Sequence, residues 1–180
     1  EGARLILTAT REDQLEKVKL KCIELGADCR ILPCDLSEIE RLDAVTDKAL
    51  SFFGKIDFLF LNAGISQRSK AIDTGFSVDK KIMDVNFFAP VKIAKLLLPK
   101  MIAGGGGTIA VTTSITGKFG FPLRSAYAAS KFALYGFFET VQAEYFNQNI
   151  RVVMVCPGRV KTNISFNALE ADGSRYARMD

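Results

Sequence analysis

The chain has 180 residues, 48% hydrophobic and 24% charged, which fits one globular domain large enough for a full core. Its net charge of +4 is mild and its basic residues are dispersed, without a run or interleaved aromatics, so nucleic-acid binding is not expected. The chain has no histidine, which excludes Ser-His-Asp and Cys-His catalysis and nearly all zinc and non-haem iron sites.

Any proton transfer must therefore use Tyr, Lys, Ser or a carboxylate. No apolar stretch reaches the roughly 18 residues of a membrane helix. No secretory leader is visible, and a cytosol-facing setting is expected. The four cysteines (Cys22, Cys29, Cys34, Cys156) lack C-x-x-C spacing. Three fall in or beside predicted strands and read as reduced core thiols.

In chain order, residues 3–9 (ARLILTA) predict a buried strand, and 11–25 predict a helix stopped at Gly26. Residues 28–34 predict a second strand. A helix over 37–53 follows, with Ser37 as N-cap, Glu40 completing a capping box and Gly54 as stop. Residues 56–62 (IDFLFLN) are almost wholly apolar, as in a parallel strand covered on both faces. A long helix is predicted over 77–102, with Pro90 and Pro99 inside it. The glycine run 104–107 predicts a tight turn into a strand at 106–114, then come a helix over 125–147 and a strand at 150–157. Alternating strands and helices predict a single α/β domain with a parallel sheet, right-handed crossovers and ligands at the carboxyl ends of the strands.

Those ends carry the informative residues. They are Asp35-Leu36, Asn62-Ala63-Gly64, Ser114, and the run Pro157-Gly158-Arg159-Val160-Lys161-Thr162. Singly, each reads as turn chemistry. Together, in register at one sheet edge, they point to a ligand site. The helix over 125–147 adds Tyr127 and Lys131, four residues apart and so on one helical face. A phenol at its ordinary value is a poor proton donor at neutral pH, and a lysine charge one turn away favours its phenolate. Ser114, thirteen residues earlier at a strand end, can hydrogen-bond an oxygen on which charge builds. Pro90 has no N–H for the Asn86 carbonyl and should kink the helix there, leaving that carbonyl able to hold a water linked to Lys131.

FLNAG, VN at 85–86, Ser114, YAASK and PGRVKT follow one another as the motifs of the short-chain dehydrogenase/reductases do, and the chain resembles that family throughout. NAGISQRS and GKFGFPLRSAYAASK resemble its member 7 group in particular. The resemblance implies a Rossmann-like, doubly wound sheet and hydride transfer between NAD(P) and a carbonyl or alcohol. It implies a catalytic set of Tyr127, Lys131, Ser114 and Asn86, with Ser114 and Tyr127 on the substrate and Lys131 also on the nicotinamide ribose. It places Asp35 and Leu36 beside the adenine, with Asn62, Ala63 and Gly64 passing under it. Pro157, Gly158 and Val160 line the cofactor, and Thr162 lies at its carboxamide end. Thr10 and Arg11 follow the first strand with no acid there, which favours NADP(H) over NAD(H).

The resemblance further implies an apolar substrate, lipid- or steroid-like, bordered by Phe119, Phe121 and Phe166, whose alternative place is the core or an oligomer face. It implies a homodimer face on the helices 77–102 and 125–147. Association with endoplasmic-reticulum or peroxisome membranes would go through segments outside these residues. The family's opening strand with its glycine-rich turn, and its last strand, have no counterpart here, so the sheet is expected to be truncated. The absent strand would be central, and two strand edges should stand unpaired. Two functional readings follow: most of a working oxidoreductase, or an inactive remnant of that fold without a phosphate-binding loop.

Overall fold

The computed structural model describes residues 2–178, in which short parallel strands alternate with helices. They are β1 (Arg4–Leu7), α1 (Glu12–Glu24), β2 (Asp28–Ile31), α2 (Leu42–Phe53) and β3 (Phe58–Leu61), followed by α3 (Phe76–Met83), α4 (Ala89–Ala103), β4 (Gly107–Thr112), α5 (Ser125–Tyr145) and β5 (Ile150–Val155). Each strand is shorter than its apolar run, because the residues at the carboxyl ends leave the ladder for loops. β1 pairs with β2, and β3, β4 and β5 pair in that order, all parallel. β1 and β3 do not pair. The two unpaired edges expected from the sequence flank a cleft lined by Leu5, Ile6, Leu7, Leu15, Val18 and Phe60.

One face of the three-stranded sheet holds the core. Leu61, Ile109, Val111 and Ile150 pack against Ala94, Leu97, Leu98 and Met101 of α4 and Leu134, Phe138 and Val141 of α5. The other face is open. Phe58 and Phe60 stand 64% and 72% exposed, and Val153 and Val155 of β5, across β4, are exposed on the same face. The expectation that residues 56–62 are covered on both sides therefore fails. Alternate residues of β3 face opposite ways, and only the side carrying Leu59 and Leu61 meets helices.

Helix ends follow local chemistry, in places against the sequence reading. Gly26, at φ 84°, closes α1 with a Schellman pair, Gly26 N–H to the Ile23 carbonyl and Ala27 N–H to the Cys22 carbonyl. Gly54 ends α2 in the left-handed conformation. Ser37 does not cap α2, however. Its N–H and hydroxyl donate to Asp35 Oδ1, and a 3₁₀ turn (Ile39–Arg41) intervenes before α2 begins at Leu42. The Asp35 carboxylate outcompetes the capping box by folding the chain on itself. Of the cysteines, all free, only Cys29 is buried, while Cys22 and Cys34 are half-buried and Cys156 is exposed.

The single helix expected over 77–102 is three stretches, with α3 and α4 joined by a π turn (Asp84–Phe88). Ala89 N–H reaches back five residues to the Asp84 carbonyl. Pro90 offers no N–H at the next position, so the ladder widens by a residue instead of breaking. Pro99 stays inside α4.

The glycine run is a tight turn, as expected. Gly106, at φ 115°, presses on Asn149, and a Cβ there would lie 2.5 Å from the Asn149 carbonyl oxygen. Gly105, at φ 97°, has open space around it. Gly105→Ala should therefore cost only backbone strain, about 1–2 kcal/mol. Gly106→Ala adds a backbone clash and should cost about 4 kcal/mol. Denaturant unfolding of the two variants checks the difference.

Candidate active site

The carboxyl edge of the three-stranded sheet meets the first turns of α5. Lys131 is almost fully buried there, 2% exposed, and its Nζ donates to the Thr112 carbonyl at the end of β4, 2.8 Å away. Burial pushes its ammonium down from 10.5 to about 8. Tyr127, half-buried one turn earlier, has its ring centre 5.7 Å from Lys131 Nζ. The Thr112 hydroxyl donates to Asn62 Oδ1, which ties the ends of β3 and β4 together.

Asn86 lies in the π turn and is fully buried. Its side chain clamps the chain after β3. Ile65 N–H donates to Oδ1 at 2.8 Å, and Nδ2 donates to the Ile65 carbonyl at 2.9 Å. Nδ2 also donates to the Ser130 hydroxyl, which in turn donates to the Tyr127 carbonyl. Gly64 sits where these groups converge. A Cβ on it would lie 3.2 Å from Asn86 Oδ1 and 3.5 Å from Lys131 Nζ. A side chain there would crowd Asn86 Oδ1 and would touch Lys131 Nζ at ordinary contact distance.

Ser114 follows β4 in extended conformation, and its hydroxyl accepts from Thr116 N–H, starting a 3₁₀ turn (Ile115–Gly117). That turn packs directly on α5, since a Cβ on Gly117 would lie 3.0 Å from the Lys131 carbonyl. Pro157 joins the group, its carbonyl accepting from Ile115 N–H. Ser114, Asn86, Asn62, Gly64, Pro157, Tyr127 and Lys131 are thus brought to one edge. Ala63 is exposed between Asn62 and Gly64, and Gly158, Val160 and Thr162 lie on the exposed loop beyond β5, where the Thr162 hydroxyl accepts from Ile164 N–H.

A second group stands at the carboxyl edge of the β1–β2 pair. Thr10 and Asp35 line a shallow, open pocket with Pro33, Cys34, Glu38 and Arg41. Arg11 is the residue before α1, and Leu36 is half-buried beside Asp35. Hydrogen bonds from the Ser37 N–H and hydroxyl hold the Asp35 carboxyl below its ordinary value. Phe119, Phe121 and Phe166 are 47%, 49% and 39% exposed, so they are not core residues.

The sequence reading missed Ser130, the Thr112 carbonyl, Gly117 and Arg41. A glycine two residues into a turn signals a close approach, so Gly117 could have been flagged. The role of Ser130 depends on a side chain 44 residues away and leaves no local signal.

Residues 1–172 match the family model described as short chain dehydrogenase, and the chain belongs to that family. It is 40% identical over 183 residues to the Dehydrogenase/reductase SDR family protein 7-like of Drosophila melanogaster, covering 99% of this chain and 56% of that protein. It is 43% identical over 186 residues to Dehydrogenase/reductase SDR family member 7B of Rattus norvegicus, covering 99% and 57%. The chain therefore spans a little over half the length of these curated relatives. Among solved structures, a metagenomic short-chain oxidoreductase in complex with NADP superposes with a TM-score of 0.83 at 30% identity, covering 88% of this chain and 72% of the other. A Burkholderia phymatum short chain dehydrogenase/reductase in complex with NAD, 22% identical, shares the fold with a TM-score of 0.85 over 97% of this chain and 70% of its own. The fold is thus a Rossmann-like α/β domain with its sheet incomplete between β1 and β3. No helix among the described residues is long and apolar enough to cross a membrane.

The burial of Lys131 has a measurable signature. Its folded value near 8 lies below the unfolded 10.5, so folding disfavours the charged form. The penalty is fully present below pH 8 and fades as pH rises to 10.5, where the unfolded chain binds the extra proton. Lys131→Met removes a penalty on the order of 3 kcal/mol and loses one hydrogen bond worth about 1 kcal/mol. At pH 7 the variant should be more stable by about 2 kcal/mol. The gain should shrink as pH approaches 10, as measured by denaturant unfolding of both proteins across that range.

Proposed function

We propose that this chain carries the proton-transfer machinery of a nicotinamide-dependent oxidoreductase that interconverts a carbonyl and an alcohol. The observation that carries the proposal is the convergence of Lys131 Nζ and Asn86 Oδ1 on Gly64, one helical turn from the Tyr127 ring. Asn62, Gly64 and Pro157 leave backbone close to that point, a cradle suited to the cofactor's ribose and nicotinamide. When bound, the nicotinamide supplies the hydride. The remaining steps belong to the chain.

Tyr127 gives its phenolic proton to the carbonyl oxygen in reduction and takes it back in oxidation. Lys131, held out of water, stabilises the phenolate and donates to the ribose hydroxyls. The Ser114 hydroxyl accepts from Thr116 N–H and keeps its own proton free for the substrate oxygen. The Asn86 carbonyl, to which Pro90 offers no N–H, holds a water that links to Lys131 and carries protons outward.

The β1–β2 edge takes the adenine end, with Asp35 and Leu36 beside the base. Thr10, Arg11 and the absence of an acid at that position support NADP(H). Arg41 faces the same pocket and adds positive charge, although Glu38 is ion-paired with it at 2.5 Å. Half-exposed Phe119, Phe121 and Phe166 support an apolar, lipid- or steroid-like substrate. A homodimer through α4 and α5 belongs to the same reading, supported by exposed Phe88 and Phe132 and open space over Gly136. Membrane association would rest on segments outside these residues.

Tyr127→Phe keeps the ring and removes the proton donor. In the full-length protein it should lower turnover with NADPH by roughly 10²-fold or more and leave the NADPH dissociation constant within about threefold. Turnover at wild-type rates would remove Tyr127 from the reaction. The cofactor preference is read from the same assay by comparing NADPH with NADH, and Arg11→Ala should narrow the difference.

A further inference from the structure

The helix that carries Tyr127 has no cap of its own. Arg124 precedes it, makes no side-chain capping bond and leaves the first N–H groups without a local acceptor. The acceptor comes from 60 residues away. Gln67, fully buried, places Oε1 3.0 Å from Ala126 N and 3.2 Å from Tyr127 N, and both N–H groups donate to it. Its Nε2 donates to the Ser125 hydroxyl at 3.1 Å and to the Thr74 hydroxyl at 3.2 Å. Every polar atom of the Gln67 amide is thus engaged, with three of its four hydrogen bonds on the turn of α5 that holds Tyr127.

The segment around Gln67 is itself fixed from three directions. Arg68 N–H donates to the Leu169 carbonyl, and Leu169 N–H donates to the Ser66 carbonyl. Ser69 N–H donates to the carbonyl of Leu123, a non-glycine residue at φ 64° just before α5. At its other end the segment continues into Ile65, which Asn86 clamps. The backbone of Tyr127 is consequently held from both sides. Ser130 holds its carbonyl and, through Asn86, ties it to Ile65, while Gln67 holds its N–H.

We propose that Gln67 is a positioning residue for Tyr127, whose amide oxygen sets the height and tilt of the first turn of α5 and hence of the phenol. The inference rests on the reading of Tyr127 as the proton donor. A side chain at 67 with the right volume but no acceptor leaves two buried N–H groups unsatisfied, and the turn must shift or fray to reach water. Displacement of a reacting group by about 1 Å costs on the order of 10²-fold in rate. Cofactor affinity depends on many contacts elsewhere and should change little.

The test uses the full-length protein and compares wild type, Gln67→Met, Gln67→Glu and Tyr127→Phe, with kcat counted per NADPH-binding molecule so that any unfolded fraction drops out. Gln67→Met, which keeps the volume and removes the acceptor, should lower kcat by roughly 10- to 100-fold with KM for NADPH within about twofold. Gln67→Glu, which keeps an acceptor oxygen, should restore kcat to within a few-fold of wild type. A purely structural Gln67 would lower the melting temperature or yield and leave kcat per binding molecule intact, which overturns the proposal. So does a Glu variant as slow as the Met variant while Tyr127→Phe is inactive. Wild-type turnover by Tyr127→Phe would overturn the reading of Tyr127, and this inference with it. Hydrogen exchange on the wild-type protein gives a check free of variants. The amides of Ala126 and Tyr127 should be protected, unlike uncapped first-turn amides, and fast exchange at both overturns the proposal.

Discussion

The arrangement at the sheet edge depends on keeping the Lys131 ammonium out of water. An ammonium surrounded by backbone and aliphatic groups is electrostatically costly, and here the cost is visible as a value near 8. The fold tolerates it because the Thr112 carbonyl, freed where β4 ends, accepts from Nζ. The close approach of Gly64 and Gly117 then seals the surroundings. Adding a methyl at Gly64 would press on Asn86 Oδ1, and at Gly117 on the Lys131 carbonyl. Burial is therefore a joint product of a strand end, a helix turn and two glycines. It leaves Nζ 5.7 Å from the centre of the Tyr127 ring.

The same economy governs Asn86. A side-chain amide that binds both the N–H and the carbonyl of Ile65 works like one rung of a β-ladder, so it locks the chain after β3 without a further strand. The π turn makes this possible. Widening the helix by one residue at Asp84–Phe88 alters the angular spacing, and the stretch frequently marks a functional segment. Pro90 both ends the regular ladder and fixes where the widening occurs. Ser130 then carries the restraint from Asn86 to the backbone of Tyr127, so hydrogen bonds link the π turn to the helix turn that holds the candidate proton donor.

The alternation of elements, the parallel pairing and the unpaired edges of β1 and β3 were legible in the sequence, because apolar period and glycine stops reflect local geometry. The gathering of Ser114, Tyr127 and Lys131 was legible too, through the motifs of the family. Three things were not. Ser37 read as a helix cap because the pattern Ser-x-x-Glu is local, whereas the Asp35 carboxylate that captures it depends on the actual turn. Residues 56–62 read as covered on both faces because apolarity records what a strand could bury, not which side finds a partner. Gln67 carries no signal in the sequence, because its acceptor role appears only once α5 is brought beside it from 60 positions away. In each case a tertiary neighbour decided between local alternatives. The uncovered face with Phe58, Phe60, Val153 and Val155 is the place where apolar surface and packing disagree most, and it adjoins the cleft between β1 and β3.

The most direct measurement of the central claim is the titration of the Lys131 side chain itself, followed by carbon–nitrogen NMR of lysine-labelled protein and assigned with Lys131→Met. A midpoint near 8 in the cofactor-free protein, below the ordinary 10.5, is the expected result. A midpoint near the ordinary 10.5 would place Nζ in water and contradict the convergence of Lys131, Gly64 and Asn86 on which the account stands.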